Sequence, residues 1–289
     1  MLLTRVKTFL KSALNGNETI SADLREQFME DCGAALDKQF APRQEWRLRM
    51  SSVGQLPCKQ HLAKDGIKEE LEYDAFMRFI FGDMVEALAV CVMKAAGIPV
   101  EDEQKKVSLQ VYDTKLDGSM DLTIDGEVWD VKSASPFSFS SKFGDYGGYT
   151  KLKNDDPFGY VVQGHSYGKA NGTRFAGWIA INKSTGEWAF TTTPKDGGIE
   201  EKEALTLAAL NIKSVKDGKY KRLPDEKETY TKKKVKIETG NRVLGKDCVF
   251  CGYKGHCWPD AILAPKATSE ANNPPLTWYT ELKHPVVNK

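Results

Sequence analysis

Two aspartates and a lysine stand close together in the middle of this 289-residue chain: Asp121, Asp130 and Lys132. Met120, Leu122 and Ile124 alternate with other residues, Val128 and Val131 follow, and Asp125-Gly126 separates the two runs. Asp-Gly between two such runs is a hairpin signal, so residues 119–124 and 127–133 are expected as adjacent antiparallel strands carrying one aspartate each. Side chains two apart on a strand share a face, which puts Asp130 and Lys132 together. Two carboxylates meeting a lysine suit a divalent metal held by hard oxygen ligands, with the ammonium placed to orient or deprotonate an attacking water. Glu86 sits beside Ala87 and Ala89 in an apolar run, where a charge is costly without a partner, and a metal would be that partner. Taken alone, Asp-x-Lys on a strand is also a common surface ion pair.

Cysteine supplies a second pattern. Cys248, Cys251 and Cys257 form C-x2-C-x5-C, and thiolates three positions apart reach one metal centre from a tight turn. Three ligands call for a fourth. Cys32 lies in a plain helical context, and Cys91, on the apolar helix, reads as a small core residue. Composition does not separate iron–sulfur from zinc, and a zinc ion held by four thiolates, or with His61 or His256 replacing one, is the alternative.

The elements that must position these groups follow from patterning. A helical signal runs from about 69 to 96 through Phe76, Phe79, Ile80, Met84, Leu88, Val92 and Ala95, and Gly97 and Pro99 stop it. Strands are expected around 107–111, 119–124 and 127–133, then at 174–182 and 187–192, with helices at about 157–169 and 198–212. Between 135 and 150 lies a loop holding Phe137, Phe139, Phe143, Tyr146 and Tyr149 among lysines, which would hang over the aspartates and stack on unpaired bases or pack on the core. From 212 to 246 there are twelve Lys and Arg against five Asp and Glu, a segment fit to attract polyphosphate or simply a solvated loop. A Pro-rich tail ends the chain. The whole reads as an α/β core.

Charge is nearly balanced, 41 Lys+Arg against 40 Asp+Glu, with 40% hydrophobic residues and 6 Cys. Disorder, collagen and a disulfide scaffold are excluded, and a chain of this length buries roughly 75% of its unfolded surface without cross-links. With no apolar run of about 18 residues and no secretory pattern at the start, a soluble, cytoplasmic protein with no membrane partner is expected. Arg5, Lys7 and Lys11 give the first residues a basic amphipathic look, read as a surface helix, with an organellar transit peptide as the alternative.

In order along the chain, Gly82-x-x-x-Glu86, Gly118-Ser-Met-Asp121, Trp129-Asp130-Val131-Lys132 and Gln163-x-x-x-Tyr167 resemble the PD-(D/E)XK nuclease superfamily, and more narrowly its RecB-like branch. The resemblance implies a restriction-endonuclease-like fold, a mixed β-sheet flanked by helices. It implies one or two Mg²⁺ or Mn²⁺ ions on Glu86, Asp121 and Asp130 with the Val131 carbonyl as a further ligand, and Lys132 as the residue that activates water. Gln163 and Tyr167, four apart on one helix face, would fix the active site and the nucleic-acid strand. Met120 stands where the superfamily name has Pro, and Glu86 where many members have His, which leaves Asp83 as the competing ligand.

In RecB-like nucleases that carry a cluster, including AddB-type and CRISPR-associated members, one cysteine precedes the nuclease motifs and three follow them. Cys58 occupies the early position here, so the resemblance implies a [4Fe–4S] cluster on Cys58, Cys248, Cys251 and Cys257 joining the N- and C-terminal parts, with structural zinc as the alternative. The organisation expected is a helical extension at 1–50, a nuclease domain at 51–260 and a tail at 261–289. The function implied is DNA exonuclease activity leaving a 5′-phosphate, on DNA with a free, single-stranded end, alongside replication or recombination proteins in a bacterial or phage-infected cell. A phage-encoded exonuclease is the narrowest form of that reading. The alternatives are a non-catalytic nucleic-acid-binding or assembly protein and an endonuclease.

Overall fold

The computed structural model describes residues 1–42 and 45–286; part of the 43–50 approach to the first turn, and the last three residues, lie outside the described residues. The chain forms two compact units, one of residues 1–56 and 72–217, the other of 57–71 and 218–289. Both are mixed α/β. Among the described residues no helix is long and apolar enough to cross a membrane.

The first unit is built on a five-stranded sheet of order β1-β4-β5-β6-β7: β1 (Val100–Glu101), β4 (Leu122–Ile124), β5 (Glu127–Ala134), β6 (Phe175–Asn182) and β7 (Trp188–Thr192). Only β5 and β6 run parallel. A separate ribbon, β2 (Lys106–Val111) with β3 (Thr114–Ser119), precedes β4. Residues 114–118, for which the sequence suggests no strand, pair with β2 through a tight turn that places Tyr112 at φ 51°. The β4–β5 turn is the expected one, with both Asp125 and Gly126 in the left-handed region that a two-residue hairpin requires.

Alternation along β5 sets the two faces. Val128 and Ala134 enter a core shared with Met120, Val162, Tyr167 and Trp178, whereas Trp129 and Val131 enter the opposite core with Val6, Phe9, Val90 and Met93. The first core lies under helices Tyr160–Asn171 and Ile199–Lys216, the second under helices Leu2–Leu14 and Tyr73–Ala95. The basic N-terminal segment is thus a surface helix that anchors through Val6 and Phe9. Helix Tyr73–Ala95 buries only part of the set its spacing suggests: Ile80 and Val92 are buried, Phe79 and Leu88 are exposed, and Ala89, Val90 and Met93 are buried beside them. The helix is apolar nearly all round, so periodicity alone does not choose its face.

Every residue of β6 is buried, as expected for a central strand covered on both sides. Its alternation shifts at Gly177, which has φ 148° and where a Cβ would lie 2.0 Å from the Thr191 carbonyl oxygen. Gly177→Ala is therefore expected to destabilise the first unit by about 2 kcal/mol or more, read from urea unfolding.

The second unit holds a four-stranded antiparallel sheet of order β10-β11-β9-β8, with β8 (Glu226–Lys232), β9 (Val235–Val243), β10 (Ile262–Pro265) and β11 (Leu276–Glu281). The lysine-rich segment is thus largely a hairpin, turned at Lys233 and Lys234 with φ 50° and 67°, and the Pro-rich tail supplies two strands to the same sheet. Helix Pro57–Lys64 belongs to this unit, tied to the later segment by a hydrogen bond from the Glu70 amide to the Gly252 carbonyl at 2.8 Å.

Candidate active site

Register places the acids. Leu122 pairs with Trp129 across the β4–β5 ladder, so Asp121, just before β4, falls opposite Asp130. The Asp121 carboxylate accepts a hydrogen bond from the Val131 amide at 2.7 Å. Lys132 Nζ donates to Asp130 Oδ1 at 2.8 Å and lies 2.6 Å from Oδ2, which receives no directed hydrogen bond of its own. Glu86 comes from the middle of helix Tyr73–Ala95, where Gln104 donates to it. Glu86, Asp121, Val131, Lys132, Gln163 and Tyr167 line one cavity of about 1070 Å³.

The carboxylates disturb one another. Burial raises the Asp121 pKa well above its ordinary value, and the charges of Glu86 and Asp130 raise it further. Glu86 is pushed up to about 7 by burial, against the pull of Lys38 and the Gln104 hydrogen bond. Asp130 is raised by burial, although Lys132 opposes this. Burial works against the Lys132 charge, and Asp130 and Asp121 more than offset it, so its pKa stands above the ordinary lysine value. Lys132 in this setting is an ammonium, a donor and a fixed positive charge. Among the described residues no three His, Cys, Asp or Glu side chains stand close enough to hold a metal as they are. The donor set nevertheless fits one: hard oxygen acids whose charges raise the Asp121 pKa, with only the one ammonium of Lys132 paired to Asp130 among them, are relieved by a divalent cation.

Asp83, the competing ligand, is engaged elsewhere, by Lys38 at 3.0 Å and Gln39 at 2.7 Å, while Glu86 exerts the largest charge effect on Asp121. Tyr167 is buried, and burial, then the charges of Asp121 and Asp130, push its pKa up and keep it a neutral phenol against the smaller opposing effect of Gln163. Gly118 leaves room for it, since a Cβ there would lie 2.8 Å from Tyr167 Cε1. His165, between them in sequence, faces the core against Phe175 and Tyr149.

The aromatic loop divides. Phe139, Phe143 and Tyr149 are buried in the core, and Phe137 and Tyr146 are exposed. The segment is ordered as a short helix, Pro136–Ser138, and a π-turn, Phe139–Phe143, capped by Ser135, whose Oγ accepts the Ser138 amide at 3.2 Å. Phe139→Ala is accordingly expected to cost about 3 kcal/mol of stability through the cavity it leaves, measured by thermal or urea unfolding, so it does not report on contact with DNA.

The four expected cluster cysteines all lie in the second unit. Cys58 is pushed up to about 11, first by burial and then by the charges of Cys251, Cys248 and Cys257. Backbone amides at Lys59 and Tyr253 donate toward the Cys58 and Cys251 sulfurs. Tyr220 Oη stands 3.3 Å from Cys257 Sγ. Burial raises the Cys248 pKa, opposed by the half-buried Trp258 indole, whose N–H is buried without a conventional acceptor. His61 is buried with Nε2 unpartnered, and its ring packs on Tyr220. No metal-ligating group is formed among the described residues here either, yet neighbouring thiols whose ionisation burial and one another disfavour, met by N–H donors, suit a thiophilic centre that would take them as thiolates. Cys91 is buried in the other unit, as a core residue should be.

No family model and no curated protein matches the chain. It is similar to the solved structure of SSO0001, with 13% identity and a TM-score of 0.41 over 83% of this chain and 98% of that one. It is also similar to a "Putative exonuclease" from Eubacterium rectale, with 13% identity and a TM-score of 0.39 over 70% and 88% of the two chains. Likeness of this degree says nothing of the activity of this chain.

Proposed function

We propose that the first unit is a metal-dependent deoxyribonuclease acting from a free DNA end. The observation that carries this is the meeting of Glu86, Asp121 and Lys132 in one cavity, with Asp130 buried and paired to Lys132 at 2.6 Å, and with Arg49, Lys106 and Lys183 on a wall that also holds Asp83 and Asp117. Glu86, Asp121, Asp130 and the Val131 carbonyl would hold Mg²⁺ or Mn²⁺. When bound, that ion supplies Lewis-acid polarisation of the phosphate and a water of lowered pKa.

The chain's own groups do the rest. Lys132, kept charged by two aspartates, donates to the water or a phosphate oxygen and stabilises charge that grows in the transition state. Gln163 and Tyr167 fix the floor of the site, and the cations of the wall place the phosphate backbone. Phosphoryl chemistry needs this positioning and charge, and little else from the protein.

For the second unit we propose a [4Fe–4S] cluster on Cys58, Cys248, Cys251 and Cys257, with four-thiolate zinc as the alternative. The neighbouring thiols and the N–H donors around the sulfurs support it. Such a centre would close the loop between residue 58 and the C-terminal segment.

Digestion of end-labelled linear and covalently closed DNA, with Mg²⁺ and with chelator, tests the nuclease reading. Metal-dependent loss of linear DNA with closed circles spared is expected. Faster cleavage of circles would make it an endonuclease, and binding without cleavage would make it a non-catalytic nucleic-acid-binding protein.

A further inference from the structure

The loop rings expected to stack on bases are half buried in the core, and the exposed two do not line the acidic cavity. A different ring does. Phe158 is 49% exposed and lies on the cavity wall, just before helix Tyr160–Asn171. One face stacks on Tyr160, with centroids 5.4 Å apart and planes at 24°. Tyr160 in turn carries Lys132 Nζ over its ring at 4.8 Å. The half-exposed ring is therefore joined through a single tyrosine to the lysine of the Asp130 pair.

Its mount is rigid. The Asp156 carboxylate accepts the Tyr160 amide at 2.9 Å and the Val161 amide at 2.8 Å, fixing the turn that carries both rings. Lys142, buried beneath the turn, donates to the Asp155 carbonyl at 2.6 Å, and its Nζ lies 6.0 Å from the centroid of the Phe158 ring. A ring backed by another ring and held in place loses little freedom when a planar partner is laid on it.

We propose that Phe158 is a stacking platform for one unpaired nucleobase, the base of the nucleotide next to the phosphate held at Lys132. A base paired in a duplex has its faces covered by neighbours, so the platform selects a frayed or single-stranded end. Stacking takes any base, so no sequence preference arises from it. The naming of the ligand as DNA and the placing of its phosphate at Lys132 rest on the nuclease reading.

The test is abasic scanning. Single strands carrying one abasic nucleotide at successive positions from either end are titrated against full-length Asp130→Asn protein, which is expected to bind without cutting. One position should weaken binding about 10- to 100-fold when its base is missing. That penalty should vanish in Asp130→Asn/Phe158→Ala and Asp130→Asn/Phe158→Leu and return in Asp130→Asn/Phe158→Trp, because leucine keeps apolar volume without a stacking face. The same abasic profile with and without the ring would overturn the platform, and so would failure to bind any single strand. If the wild type cuts no DNA yet the abasic penalty follows Phe158, the nuclease reading fails and the platform stands.

Discussion

Asp121→Asn is expected to lower metal-dependent DNA cleavage by more than about a hundredfold while leaving the metal-free protein at least as stable as the wild type. The two effects have one cause. Asp121 is buried beside Glu86 and Asp130, and its charge is unfavourable there until a cation arrives. A neutral amide keeps the Val131 hydrogen bond and removes the repulsion, so a residue needed for chemistry is a burden on the empty fold. The pH dependence carries the sign. Because the folded-state pKa values of Asp121, Glu86 and Asp130 are raised, their penalty is fully present above those values, relieved as pH falls through them and absent below the unfolded ones. Metal-free wild type should thus gain stability between about pH 8 and about pH 5, and Asp121→Asn should flatten that gain. Mg²⁺ should stabilise the wild type more at the higher pH, because there it displaces no proton. Thermal melts across pH, with Mg²⁺ or chelator, read all of this.

Cys58→Ser should have the other large effect. With an intact centre, metal binding is folding free energy for the second unit, on the order of 10 kcal/mol in small metal-stabilised domains. Losing one thiolate is expected to abolish the absorbance near about 400 nm of anaerobically prepared protein and to open residues 218–289 to protease. Cys32→Ser, at a half-buried position in the other unit, serves as the control and should do neither. Zinc in place of iron would change the cofactor and keep the instability. Full metal content and stability in Cys58→Ser would remove Cys58 from the centre.

Where a pattern is local and steric, the sequence announces the structure. Asp125-Gly126 gives the hairpin because few residue pairs accept two left-handed conformations, and that turn alone sets Asp121 against Asp130. Glu86 stands out because a charge in an apolar helix needs a reason. Where burial is decided by distant partners, the same kind of reading is blind. Phe139 and Phe137 are two apart in one loop, yet one is buried and the other exposed, according to what β6 and β7 offer beneath them. Lys232, Lys233, Lys234 and Lys236 read as a loop because lysine is a poor strand former, but cross-strand pairing makes a hairpin of this segment. Phe158 gave no signal at all beyond its place beside a Gly and a Tyr; only the stacked geometry singles it out.

The most direct measurement is the anomalous signal of Mn²⁺ in crystals of the full chain. A peak bounded by carboxylate oxygens of Glu86, Asp121 and Asp130, lost in Asp121→Asn together with DNA cleavage, is expected if these acids hold the metal. Metal-dependent cleavage by a protein whose Mn²⁺ lies elsewhere, or cleavage that survives Asp121→Asn at full rate, would contradict it.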